Sequence, residues 1–117
     1  MRPWIGLAAI NGLVAVGFAA YGAHGVSPAA GLLIERGSQL QLVHAVALLA
    51  IERLMGPRQR LAQAAGALFV VGMVLFSGSL YAKAIAGPLP VPLVTPAGGI
   101  AFMLGWAVLA VASMRIR

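Results

Sequence analysis

The stretch LAQAAGALFVVGMVLFSGSLYAK, running from Leu61 to Lys83, decides the fold. Before its terminal lysine it holds no charged residue, and its polar side chains are confined to Gln63, Ser77, Ser79 and Tyr81. An α-helix rises about 1.5 Å per residue, so about 20 residues cross the roughly 30 Å hydrocarbon core of a bilayer. The stretch is long enough, and it is predicted to cross.

Reading outward, three more segments meet the same length. Gly56-Pro57 closes a second span, residues 38–55, and Gly25, Ser27 and Pro28 separate it from a first, residues 4–23. On the other side Pro88, Pro90 and Pro92 alternate with apolar residues, which prevents a helix and favours extended backbone. Thr95-Pro96 then gives an N-cap followed by a first-turn proline, opening a fourth span, residues 96–114. Ser27-Pro28 gives the same signal, and Leu32 to Arg36 reads as a short interfacial helix leading into the second span. Arg2 followed by an apolar run and the small residues Ala19, Ala20 and Ala23 also has the look of a signal peptide. The segment is nonetheless long enough to span, and it is expected to stay. The expected fold is an all-α membrane protein: one domain, a four-transmembrane-helix bundle with a short interfacial helix between spans 1 and 2.

Composition agrees. Of 117 residues 62% are hydrophobic and 9% charged, against about 45–50% and about 25% in soluble domains. Mean hydropathy is +0.99. With no cysteine there is no disulfide framework, thiolate nucleophile or cysteine metal site. A net charge of +6 and a pI near 11.6 invite a nucleic-acid reading. However, the arginines flank apolar runs and form no patch interleaved with aromatics, so no nucleic-acid partner is expected. Loops facing the cytoplasm collect Arg and Lys instead. Arg2, Arg53, Arg58, Arg60, Arg115 and Arg117 fall on one side of the four spans, and only Arg36 and Lys83 on the other. Both termini are therefore expected in the cytoplasm.

Helices in lipid associate through small residues and internal hydrogen bonds. A ladder of Ala97, Ala101 and Gly105 is expected on the fourth helix, with Gly66, Gly72 and Gly78 on the third and Gly12 and Gly17 on the first. A tight, left-handed bundle should follow.

Polar groups inside spans are costly unless satisfied, so each requires an account. Gln41 and His44 share a stripe of the second helix with Leu48 and Glu52. Ser77, Ser79 and Tyr81 stand on the third, Tyr21 and His24 end the first, and Thr95 opens the fourth. All except Glu52 fall in the outer half. Gln41 and Ser77 should lie at equal depth and meet, while Tyr21, His24, Tyr81 and Thr95 ring an outer mouth. Two readings stay open: a hydrogen-bonded helix interface, the commoner case, or a pocket for a small ligand, lipid head group or quinone. Asn11 and Trp106, near mid-span, could partner each other.

Chemistry beyond binding finds little support. Two histidines and two carboxylates without cysteine fall short of a zinc site, and bis-histidine haem through His24 and His44 is asked for by nothing else. No aspartate is available to orient a histidine toward Ser77 or Ser79. Gly98-Gly99 lacks the lysine of a phosphate loop. Neither Glu35 nor Glu52 lies near the bilayer centre, where a small proton-coupled exchanger would hold a carboxylate.

Gly22-Ala23-His24-Gly25, Gln41-Leu42-Val43-His44-Ala45, Leu75-Phe76-Ser77-Gly78-Ser79-Leu80-Tyr81 and Thr95-Pro96-Ala97-Gly98-Gly99 occur in that order. Together they resemble the bacterial family catalogued as domain of unknown function 423, related to eukaryotic transmembrane protein 256. The resemblance implies a small multi-pass protein of the bacterial inner membrane with no established activity, and it supplies no catalytic residue. An aromatic residue would be expected before the glutamine, where Leu40 stands. The functional expectation is a non-enzymatic binding or accessory protein without cofactor. Its partners would be the lipid bilayer and either a second copy or a larger membrane complex. The alternatives are a small-molecule or ion transporter or channel, and a quinone- or haem-linked redox protein.

Overall fold

The computed structural model describes residues 3–55 and 59–114, and its regular structure there is entirely helical. Four rods make up the described residues: α1 (Pro3–His24), α2 (Pro28–Met55), α3 (Arg60–Ala86) and α4 (Val94–Ser113). A single π-helical turn, Met73–Ser77, interrupts α3. The Gly56-Pro57 break expected after the second span lies outside the described residues, as do Arg2, Arg58, Arg115 and Arg117.

The short interfacial helix is not a separate element. Pro28, preceded by Ser27, starts a helix that runs unbroken to Met55, and the Ser27 hydroxyl accepts the Ala30 N–H in the first turn. Nothing between Ile34 and Ser38 stops it: Gly37 is tolerated inside a helix, and Ser38 donates its hydroxyl to the Glu35 carbonyl. At 28 residues α2 is about 42 Å long and exceeds the hydrocarbon core.

Two antiparallel pairs form the bundle. α1 packs chiefly on α2, α4 on α3, and α2 joins the pairs by lying along α3. The core gathers Ala8, Ala45, Leu48, Ile51, Ala62, Ala65, Phe69, Met73 and Phe102. Glycine admits the large rings. A Cβ at Gly72 would enter the Phe102 ring, one at Gly66 would lie 2.9 Å from Trp4 Cη2, and one at Gly105 would lie 2.6 Å from Phe69 Cδ1.

The small-residue surfaces are in part out of phase with the expectation. On α4 Ala101 and Gly105 are buried, but Ala97 is exposed and Gly98 takes its place, so close to α3 that a Cβ would strike the Phe76 backbone. On α1 the contact stripe is Ala8, Ala15 and Gly22, spaced by seven residues, and Gly12 and Gly17 have no neighbour where a Cβ would be, as also at Gly78 on α3. Having essentially one partner, α1 buries one narrow stripe and turns the rest outward. Gly105→Leu should therefore destabilise the protein by about 1–3 kcal/mol through overpacking against Phe69, whereas Gly17→Leu should change stability by less than about 0.5 kcal/mol. Thermal unfolding in mild detergent would compare them; equal effects would contradict the packing.

Candidate functional site

The polar side chains inside the bundle form linked pairs at successive depths. At the centre of the largest group is Gln41 of α2, 5% exposed. Its Nε2 donates to Asn11 Oδ1 of α1 at 2.8 Å, and its Oε1 accepts the Tyr81 hydroxyl of α3 at 2.6 Å. Asn11 passes the chain on by donating Nδ2 to the Leu7 carbonyl at 2.9 Å. One amide thus ties three helices. Tyr81 is held from its other side by stacking on Phe18, with ring centroids 3.8 Å apart and planes 5° from parallel. Gly37 makes room for that ring, since a Cβ there would lie 2.9 Å from Tyr81 Cε1.

Ser77 and Gln41 do not meet. Ser77 Oγ donates to the Gly37 carbonyl at 2.7 Å. The reason is the length and lean of tyrosine. Helical side chains tilt toward the N-terminus of their own helix, so Tyr81, rooted one turn further along α3, brings its hydroxyl to Gln41 first. Ser79 faces the other way, toward α4: its hydroxyl lies 2.5 Å from Thr95 Oγ1 and also donates to the Phe76 carbonyl at 2.9 Å.

His44 forms a second centre. The indole Nε1–H of Trp106, which can only donate, points at His44 Nε2 at 3.0 Å. That nitrogen must then carry a lone pair, so the imidazole is neutral with its proton on Nδ1, donating to the Leu40 carbonyl at 2.6 Å. The ring stacks on Phe102 at 3.8 Å and meets the edge of Phe69 at 5.1 Å. No buried side-chain N or O lacks a partner among the described residues.

Of the residues singled out in the sequence, Gln41, His44, Ser77, Ser79, Tyr81 and Thr95 therefore enter internal hydrogen bonds. The expected outer ring does not form. Tyr81 is buried and turned inward, while Tyr21 is 44% exposed and touches only the edge of Phe18, at 6.5 Å, among ring contacts of the described residues. His24 is exposed at the end of α1. Asn11 and Trp106 do not pair; each joins α2 instead. Their partners could have been found from chemistry alone. An indole offers only a donor, and among mid-depth side chains His44 supplies a matching acceptor. Phe18 and Phe102, the stacking partners, gave no signal distinct from ordinary core residues.

This arrangement defines a class: a small helical bundle with a few linked polar groups inside an apolar core and with an apolar exterior, three of whose helices, α1, α3 and α4, are long and apolar enough to cross a membrane. The chain belongs to the family described as protein of unknown function DUF423, whose model matches residues 18–99. It is 36% identical over 119 residues to a UPF0382 membrane protein of Staphylococcus epidermidis, covering 98% of both chains. It is likewise 36% identical to the UPF0382 membrane protein YwdK of Bacillus subtilis, again over 98% of both. The UPF0382 inner membrane protein YgdD of Escherichia coli is 36% identical over 94% of this chain and 88% of its own. No solved structure matches.

The Gln41–Tyr81 bond can be weighed by a double-mutant cycle. Tyr81→Phe leaves Gln41 Oε1 without its donor, and Gln41→Leu leaves the phenol without its acceptor. Each should cost about 1–2 kcal/mol of unfolding free energy in detergent, and the double variant should cost clearly less than their sum. Additive losses would show that the two groups do not interact.

Proposed function

We propose that the protein is a four-span, non-enzymatic binding or accessory protein of the bacterial inner membrane, with both termini cytoplasmic and an interior polar network that locks the bundle. The observation that carries this reading is the closure of the interior network: each buried side-chain N or O among the described residues has a partner within the chain. A transport path or ligand pocket needs groups available to something else. The readings as transporter and as haem protein are both weakened by His44, whose two nitrogens are already engaged by Leu40 and Trp106.

The fourth span is α2. Averaged along its length it is less apolar than the others, because it carries Glu35, Arg36 and Gln39 toward its start, Glu52 and Arg53 toward its end, and Gln41 and His44 between them. Between those ends Gln41 and His44 face inward, however, and the outer face there presents Leu42, Val43, Val46 and Leu49, 42%, 53%, 58% and 44% exposed. Such a face suits lipid and not water. With four spans, the unequal distribution of basic residues favours cytoplasmic ends. On this topology a cysteine replacing Ala86 should react with an impermeant thiol reagent added to intact cells or spheroplasts, and one replacing Gln59 should not. The opposite pattern would invert the orientation, and equal labelling would remove a span.

The closed interior is tested by reconstitution. Proteoliposomes containing the protein should show no proton or monovalent-ion flux above protein-free liposomes, and Trp106→Phe should lower thermal stability without opening one. A saturable flux through the wild-type protein would overturn the accessory reading.

A further inference from the structure

Outside the interior network, the structure leaves a groove of about 520 Å³ where the end of α1 meets the start of α2, a volume in the range of small-molecule sites. Ala19, Gly22, Ala23 and Gly31 give it shallow, apolar walls, and Glu35 stands in its lining. The helices touch closely at its base, where a Cβ on Gly31 would lie 2.9 Å from the Gly22 carbonyl oxygen. The groove is therefore bounded by backbone that cannot close over it further.

Glu35 gives the groove its chemistry. Its carboxylate has no cationic partner among the described residues, and its polar contact is a long one, 3.5 Å, from the neutral Gln39 amide one turn along. Because α2 outlasts the hydrocarbon core by about 12 Å, Glu35, two turns from its start, comes at about the depth where hydrocarbon gives way to head groups. The groove's lining contains no basic residue. Arg36, the next residue, is exposed and is not part of that lining. An uncompensated carboxylate above apolar walls complements an amphiphile in two places: ammonium and acyl chain.

We propose that this groove binds a phospholipid with a primary-ammonium head group, Glu35 taking the ammonium and the alanine and glycine walls the first part of a chain. The site is separate from the polar network, so it stands whether that network is a lock or a pocket.

Native mass spectrometry of the full chain, delipidated in mild detergent and titrated with phosphatidylethanolamine or phosphatidylglycerol of matched chains, tests it. Wild-type protein should retain the ethanolamine lipid about fivefold better, the worth of one exposed charge-assisted contact. Glu35→Gln should abolish that preference. Ala23→Phe, a groove-filling change at an exposed position, should lower retention of the ethanolamine lipid while leaving the unfolding temperature unchanged. Equal retention of both lipids by wild type, a preference that survives Glu35→Gln, or ethanolamine-lipid retention that Ala23→Phe leaves unchanged, would overturn the proposal. Competition by millimolar free ethanolamine would also overturn it, because the site would then read a soluble amine and not a lipid.

Discussion

The amide of Gln41 sets the register of the bundle. In a low-dielectric interior an amide left without partners costs several kilocalories per mole, and this one is satisfied only when Asn11 on α1 and Tyr81 on α3 stand at the same depth. Apolar contacts alone would tolerate sliding, since one leucine or alanine in lipid is much like another. Sliding either neighbour by a helical turn would remove a partner from the amide. The stacked Phe18 ring and the absent side chain of Gly37 serve the same end, fixing where the Tyr81 hydroxyl can be.

His44 performs a related task between α2 and α4, with a stricter requirement on protonation. An imidazolium would have no lone pair for the Trp106 N–H, so the contact exists only for the neutral ring. Phe102 and Phe69 cover its faces and edges, so the bond is shielded by aromatic surface. Two polar centres, one joining α1, α2 and α3 and one joining α2 and α4, make α2 the hub. This explains why Gln41 and His44 of α2 face inward while Leu42, Val43, Val46 and Leu49 between and beyond them face outward.

The sequence made the rods legible and their rotation much less so. Length and apolar runs marked α1, α3 and α4, and the stripe of Gln41, His44 and Leu48 identified the inner face of α2, where all three are buried. The misjudged elements share a cause. Ala97 with Ala101 and Gly105 looks like a ladder on a helical wheel, but which of Ala97 and Gly98 faces inward depends on where α3 lies, which no local pattern states. Gly12 and Gly17 resemble packing glycines, yet α1 has too few neighbours to use them. A seven-residue spacing was the better guide: Ala8, Ala15 and Gly22 on α1 and Gly98, Gly105 and Ala112 on α4 are the close-contact positions, as expected for helices that wrap with a left-handed sense. The polar partners were missed because depth alone was matched, without the reach and lean of each side chain.

The π turn in α3 follows from the same need to keep one stripe facing α2 and α4. Ala65, Phe69, Met73, Ser77 and Tyr81 are all buried, and they are spaced by four residues throughout. In a regular α-helix of 3.6 residues per turn, each four-residue step rotates the side chain about 40° beyond a full turn. Over four steps the drift would reach about 160°, carrying Tyr81 to the face opposite Ala65. A π turn places more residues in a turn and rotates each by less, so the segment Met73–Ser77 takes up part of that drift midway along the stripe. Without it, α3 could present Phe69 to the His44 ring or Tyr81 to Gln41, but one of the two would be turned out of phase. The irregularity in the backbone is thus what lets a single helix serve both polar centres.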